Sequence, residues 1–253
     1  MTASRKIAVA GATGRVGHHV VDVLAERGHD VIRMSRAHGV DVISGDGLVR
    51  ALAGVECIVD TATHSSPEQH AATEFFTTAA RNLHEAGRRA GVQRIVVVSI
   101  IATDRLRGGY SVAKVAHEQA TLSGPIPARV LRAAQFHELV ELLVQWGTRG
   151  EISYVPKMRT QLVAARTVAE ALADLAVDPQ AAPGPTLEVA GPREESLVEM
   201  AKLLVARRGN SLRVEAVSDQ VDGDANESGV LLPGPHARLG GPTFEQWLEA
   251  DSR

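Results

Sequence analysis

Tyr110 and Lys114 stand at the two ends of the segment YSVAK, four positions apart, and a helix brings residues at that spacing onto one face. A phenol titrates at about 10, too high to exchange protons readily at neutral pH, but a neighbouring ammonium stabilises the phenolate and lowers that value. Such a pair can donate a proton to a developing alkoxide. Ser99 closes the run RIVVVS, and its hydroxyl can add a hydrogen bond to the same oxyanion. A purely structural reading competes: Tyr110 caps the helix and Lys114 pairs with Glu118 at i,i+4, a contribution of roughly 0.3 kcal/mol.

Three glycines carry a second kind of chemistry. Lys6 to Gly17 reads KIAVAGATGRVG, so Gly11, Gly14 and Gly17 punctuate the passage from an apolar run into an amphipathic one. Glycines at this spacing tighten a strand-to-helix turn and let backbone N–H groups approach a pyrophosphate without a Cβ in the way. Thr13, Arg15 and Val16 share the turn, and the helix N-terminus behind it favours negative charge. Ser35-Arg36 falls where a dinucleotide-binding fold reads the adenosine ribose. A carboxylate there would accept from a free 2′-hydroxyl; a hydroxyl followed by a guanidinium instead suits a 2′-phosphate, with Arg15 as a second fork. These residues point to NADP(H) rather than NAD(H), the alternative being that Arg36 is a solvated loop residue.

Hydrophobic periodicity supplies the elements that position these groups. Val16, Val20, Val23 and Leu24 predict a helix over 16–27 that closes at Gly28, and a strand over 29–34 completes a βαβ unit. A short strand is expected over 40–43, followed by Gly45-Asp46-Gly47, where Asp46 caps the next helix or contacts adenine, the cap ranking first. The strand 56–60 runs into Thr61, Ala62 and Thr63, small residues at a strand end where a cofactor passes, although packing alone also asks for small residues. Pro67 opens a long helix with Phe75, Phe76, Ala79, Leu83 and Ala86 on one face and a stop at Gly91. The strand 94–99 is a nearly unbroken β-branched run, as a strand buried on both sides should be, and delivers Ser99 to the edge that carries the glycine turn. A helix from Tyr110 to about Leu122 follows, with Val112, Val115 and Ala116 facing the sheet, and then a strand over 128–133.

The motifs GATGRVG, RIVVVSI, YSVAK, ARVLRAAQFHE and LLPGPHARLGGPTFEQWL are spread along nearly the whole chain, and in them the sequence resembles the short-chain dehydrogenase/reductase superfamily and its atypical NmrA-like NAD(P)-binding proteins. The resemblance implies an α/β fold, a Rossmann-type doubly wound parallel sheet with a small discontinuous C-terminal substrate lobe. The core would cover about 1–135, and the lobe about 136–160 and 190–253. By the same resemblance Lys114 contacts the nicotinamide ribose, Tyr110 is the proton donor and Ser99 holds the substrate carbonyl. Gln135, Phe136 and His137 would point towards the substrate pocket, with Trp146, Tyr154 and Met158 as walls. The compact loop between Ser99 and Tyr110 departs from the family pattern, as does Ala62, where relatives often carry an Asn that extends the proton relay. The expected function is NADPH-dependent reduction of a small carbonyl, enone or quinone. A non-catalytic NADP(H)-binding sensor and a cofactor-retaining isomerase or epimerase are the alternatives, because one architecture hosts many chemistries.

At 253 residues the chain is long enough for one large α/β domain with an ample core. A formal net charge of -3 and a pI of about 6.4 give no electrostatic footprint for nucleic acid or a membrane surface, so a small-molecule substrate is the partner implied. No signal peptide or long apolar span is evident, and a cytoplasmic location is the expectation. Cys57 is the one cysteine, a buried strand thiol within CIVDT, and no disulfide framework is available. His64 and His70 lack a nearby Cys or paired carboxylate, so no metal site is expected. Further along, 186–190 reads as a strand stopped by Gly191-Pro192, Ser196 with Glu199 and Thr243 with Gln246 read as capping boxes, and the polar stretch 218–229 reads as a surface loop.

Overall fold

The computed structural model describes residues 4–64, 68–178, 184–209 and 211–251. Its first half runs β1 (Lys6–Ala10), α1 (Gly17–Glu26), β2 (Asp30–Met34), α2 (Leu48–Ala51), β3 (Cys57–Asp60), α3 (Gln69–Ala90), β4 (Arg94–Ile100), α4 (Gly109–Leu122) and β5 (Ala128–Ala133). There follow α5 (His137–Gly147), β6 (Thr148–Arg149), β7 (Ile152–Pro156), β8 (Arg159–Thr160), α6 (Ala165–Val177) and β9 (Thr186–Ala190). The chain ends with β10 (Glu195–Ser196), α7 (Leu197–Arg207), β11 (Arg213–Val217), α8 (Gly223–Ser228), β12 (Arg238–Leu239) and α9 (Phe244–Asp251).

Seven strands form a parallel Rossmann-like sheet in the order β12-β9-β5-β4-β3-β1-β2, with helices flanking it. Ala10 at the end of β1 lies opposite Met34 on one side and Asp60 on the other, and Asp60 lies opposite Val97 of β4. The chain order reverses between β1 and β3, the kind of switch point beside which open α/β sheets bind ligands at their C-terminal edge. Strand composition explains the burial: Ile7 to Ala10 and Cys57 to Val59 are wholly inaccessible, as central parallel strands covered on both faces must be.

By contacts the chain divides into two compact units. The first comprises Met1–Ser99, Gly109–Arg132 and Val168–Leu187, the second Ile100–Gly108, Ala133–Thr167 and Glu188–Arg253. In the first, Ala8, Met34, Leu52, Ile58, Leu83 and Ile95 belong to one apolar cluster, and each fully buried Leu, Ile or Met side chain contributes roughly 2 kcal/mol. Helix α3 is capped by Glu68, whose carboxylate accepts from the N–H groups of His70 and Ala71 at 2.9 and 2.7 Å; the expected opening residue, Pro67, lies outside the described residues. Residues 40–43 do not form the expected strand. Val40 N–H donates to Ser35 O, the Asp41 carboxylate accepts from Ile43 N–H at 2.7 Å, and Gly45 N–H returns to Asp41 O, so a turn organised by Asp41 takes the donors that a ladder would need. Asp46 does not cap α2 either: the cap position is Gly47, at φ 76, and it makes no side-chain bond. On α4 the fully buried positions are Ala113, Lys114, His117, Glu118 and Thr121, and Val112, Val115 and Ala116 are only half-buried, so the polar face and not the valine face goes inward.

The second unit has its own core, in which Val140, Val155, Leu162, Leu197, Phe244 and Leu248 pack together. Of the three expected wall residues Met158 packs against this core, whereas Trp146 and Tyr154 are exposed. Thr243 and Gln246 form the expected capping box, with reciprocal bonds of 3.0 and 3.3 Å. Ser196 and Glu199 do not. Ser196 lies in β10, paired antiparallel with β8, it makes no side-chain cap, and Glu199 bonds Lys202 instead. The stretch 218–229 is not simply a loop: it contains α8, and just before it the Asp222 carboxylate accepts from the N–H groups of Arg107 and Gly108, both at 2.8 Å. No helix among the described residues is long and apolar enough to cross a membrane.

Candidate cofactor and active site

The glycine turn lies between β1 and α1, all within the first unit. Gly11 has φ 74, and a Cβ on it would lie 2.8 Å from the backbone of Thr61 and Ala62. A Cβ on Gly17 would lie 2.1 Å from the Gly11 carbonyl oxygen and 2.7 Å from Thr61 Oγ1. Both glycines are therefore required by the protein's own packing. Gly14 is different: the one atom near a Cβ there would be Gly11 O at 3.1 Å, so the space around its bare Cα is otherwise open. Gly11 and Ala12 donate N–H to Met34 O at 3.0 and 3.2 Å, which ties the turn to the end of β2, where Ser35 and Arg36 follow. Helix α1 starts without a side-chain cap. A cradle that a Cβ would fill, in front of an uncapped helix N-terminus, fits the pyrophosphate of a dinucleotide.

Around this turn Thr13, Arg15 and Arg36 are exposed, Val16 is buried, and the Ser35 hydroxyl bonds His38 Nδ1 at 2.7 Å. Asp46 is exposed on the neighbouring turn. Thr61 Oγ1 donates to Ala10 O at 2.7 Å, so the ends of β1 and β3 are stitched together by a side chain. Ala62 is half-buried and Thr63 exposed.

Tyr110 enters from the first turn of α4, packs edge-on against Phe76 with ring centres 5.8 Å apart, and meets the Thr63 hydroxyl at 2.9 Å. This contact sets the phenol beside the C-terminal end of β3. Burial pushes the Tyr110 phenol up, and the bond to Thr63 pulls it back in part. The expected lowering by Lys114 is not what the structure gives: the lysine is held elsewhere. Lys114 is 4% exposed, and its Nζ donates to Val98 O at 2.8 Å and to His117 Nδ1 at 2.9 Å, 4.6 Å above the Phe76 ring. Burial lowers its pKa to about 8 against the opposing pull of the Asp60 and Glu118 carboxylates. Nor does Lys114 pair with Glu118, which is taken by Arg132 in a two-pronged ion pair of 3.0 and 2.7 Å. Ser99 is buried, and its Oγ has no hydrogen-bond partner among the described residues. A buried hydroxyl left unpaired is costly unless something else takes the bond.

Two members of this arrangement escaped the sequence reading. Asp60 accepts from Ala62 N–H at 3.0 Å through Oδ1 and bonds His117 Nε2 at 3.1 Å through Oδ2, and both side chains are buried. The signals were present in the sequence: a carboxylate ending the otherwise apolar run CIVD must find a partner, and His117 lies one helical turn after Lys114 on the same face. In the second unit Gln135 Oε1 accepts from the Thr160 hydroxyl, Phe136 bridges Val163, and His137 is wholly buried. His137 Nε2 donates to Pro242 O at 3.1 Å, its ring lies 5.5 Å from those of Phe244 and Trp247, and burial lowers its pKa to about 4.

The fold, the switch point and the glycine cradle are those of a Rossmann-like α/β protein. Residues 11–122, from the first glycine to the end of α4, match the family described as NAD(P)H-binding. Among solved structures the chain is similar to MoeE5 in complex with UDP-glucose and NAD, with a TM-score of 0.73 and 19% identity over 98% of this chain and 99% of that one. It is similar to a short-chain dehydrogenase/reductase superfamily protein from Agrobacterium tumefaciens with bound NAD, with a TM-score of 0.69 and 18% identity over 97% and 95%. TunA, an NAD-dependent NDP-hexosamine 5,6-dehydratase, gives a TM-score of 0.72 and 16% identity over 99% of both chains. A 3-beta-hydroxysteroid dehydrogenase of Mycolicibacterium neoaurum is 31% identical over 112 residues, 36% of this chain and 31% of that protein, so the chain matches about a third of that relative's length. At identities of 16–19% these solved structures share the fold of this chain, and the family match covers residues 11–122.

Proposed function

We propose that the protein is an NADPH-dependent oxidoreductase that reduces a small carbonyl, enone or quinone, with Tyr110 as the proton donor. The observation that carries this reading is the Tyr110–Thr63 contact of 2.9 Å, which holds a phenol at the end of the strand next to the glycine turn. When bound, the reduced nicotinamide supplies a hydride. With Thr63 donating to the phenolic oxygen, the Tyr110 hydrogen stays available for the substrate oxygen that gains negative charge. The unpartnered Ser99 hydroxyl is a second donor to that oxygen. Lys114 serves the nicotinamide ribose. NADP(H) is favoured over NAD(H) because no carboxylate directly follows β2 and the exposed Arg36, two residues after the Met34 whose carbonyl holds the glycine turn, suits a 2′-phosphate, with the exposed Arg15 of the glycine turn as a second guanidinium.

One observation favours a rival. The phenol is raised, not lowered, which a non-catalytic NADP(H)-binding sensor would tolerate and a proton donor must overcome on binding. The test is NADPH oxidation across a panel of quinones, aldehydes, ketones and enones, with wild type and Tyr110→Phe side by side. The expected result is turnover by wild type that falls by roughly 10²- to 10⁴-fold in the variant, with NADPH binding retained. NADPH bound without turnover of any compound overturns the enzyme in favour of the sensor. Cofactor that copurifies as NADP, with no net NADPH consumption, marks an isomerase or epimerase.

A further inference from the structure

Asp60, His117 and Lys114 form a chain for which the proposed chemistry has no use as such, and its members are 2%, 1% and 4% exposed. Charged groups at such depth are costly unless each is paired in good geometry. Here the pairing has one consistent direction. Lys114 as an ammonium has no lone pair, so in its 2.9 Å bond to His117 the imidazole Nδ1 must accept. The ring's one N–H then sits on Nε2 and donates to Asp60 Oδ2 at 3.1 Å. The other oxygen of Asp60 takes the N–H of Ala62, the residue before the Thr63 whose hydroxyl meets Tyr110. Phe76 closes the arrangement from α3, its ring stacked on that of His117 at 4.6 Å.

We propose that Asp60 and His117 are positioning residues: the neutral imidazole aims and holds the Lys114 ammonium, and the same carboxylate fixes the Thr61–Thr63 segment against which Tyr110 is set. This rests on the reading of Lys114 as a cofactor ligand. A proton wire is the other use of such a chain, but this one ends in a buried carboxylate and has no exposed member, so it holds and does not conduct. The groups that face Lys114 are Asp60 from β3, the Val98 carbonyl from β4, His117 and Glu118 from α4, and the Phe76 ring from α3, with Glu118 itself neutralised by Arg132 of β5. Loss of His117 removes an acceptor from the ammonium, and loss of the Asp60 charge removes a stabilising carboxylate, so either change makes the lysine easier to deprotonate.

The experiment is titration of the full chain with NADPH, followed by nicotinamide fluorescence, from about pH 6 to about pH 9. His117→Leu and Asp60→Asn are expected to bind NADPH roughly tenfold more weakly at neutral pH, and the alkaline loss of binding should begin roughly one pH unit lower than in wild type. His117→Gln, which keeps an acceptor and an N–H, should recover most of both. Lys114→Met is titrated alongside. If it weakens NADPH while His117→Leu and Asp60→Asn keep the wild-type affinity and pH profile, the proposal is overturned and the lysine's role stands. If Lys114→Met itself binds like wild type, that role falls and the proposal with it. Should His117→Leu fail to fold, nitrogen NMR of His117 in the wild-type protein decides: an Nε2–H tautomer is expected, and an Nδ1–H tautomer or an imidazolium at neutral pH overturns the proposal.

Discussion

Gly14 and Gly17 are three residues apart in one turn, yet alanine at each should fail for a different reason. A methyl on Gly17 would lie 2.1 Å from the Gly11 carbonyl oxygen, where carbon and oxygen normally rest at about 3.3 Å or more, so the backbone of the turn must retreat by about 1 Å. Overpacking against backbone costs about 2–3 kcal/mol, and for a chain of this length each kcal/mol lowers Tm by about 3 °C, so Gly17→Ala should melt roughly 6–9 °C early. A methyl on Gly14 meets only the same oxygen, at 3.1 Å, which a shift of a few tenths of an ångström relieves. Gly14→Ala should therefore melt within about 2 °C of wild type and yet bind NADPH at least about tenfold more weakly, a loss of about 1.4 kcal/mol, because the methyl stands where a phosphate approaches. Thermal melts without cofactor and fluorescence titrations with NADPH read the two quantities separately. Wild-type affinity in Gly14→Ala would falsify the placement of the pyrophosphate on this turn, and an unchanged melt of Gly17→Ala would refute the packing argument.

Arg36→Glu should weaken NADPH by roughly 10- to 100-fold and leave NADH within about threefold, measured by paired titrations; equal losses for both cofactors would remove the guanidinium from 2′-phosphate recognition. Glu118→Gln removes the carboxylate of a two-pronged ion pair whose glutamate is buried, so a urea titration should show a loss of about 3 kcal/mol, and a loss under about 1 kcal/mol would mean that water reaches the site. Burial lowers His137 from 6.5 to about 4, so between those values the unfolded chain binds the proton first. The contribution of about 3 kcal/mol is thus present above pH 6.5 and lost as pH falls towards 4. His137→Phe should lose less stability on acidification than wild type, and equal acid losses would show that His137 is not the responsible group.

The order of the βαβ unit, the strand that carries Ser99 and the helix that carries Tyr110 were legible because each has a strong local signature: three spaced glycines, an unbroken Val/Ile run, and a Tyr and Lys one turn apart. Residues 40–43 misled because Val-Asp-Val-Ile alternates like a strand, whereas the Asp41 side chain offers its own backbone a closer acceptor. Ser196 misled in a similar way, since a strand pairing with β8 claimed it first. On α4 the valines suggested the inward face, but burial of Lys114, His117 and Glu118 is favourable only with partners from β3, β4 and β5, and no local pattern announces contacts made across 14 to 57 positions. The candidate site was therefore half-visible: the residues with familiar chemistry stood out, and those that hold them did not.

Cys57 lies inside β3 with no exposed surface, and burial pushes its thiol up to about 12. Thiolates are the nucleophiles that quinones and enones alkylate, so this chain offers such electrophiles no ready sulfur. Compounds that poison many enzymes by covalent capture can therefore be tested on this protein at high concentration, and a progress curve that bends over would not report a modified cysteine. The same inertness leaves any cysteine introduced on the surface as the single reactive thiol, and hence as an unambiguous position for a spectroscopic label.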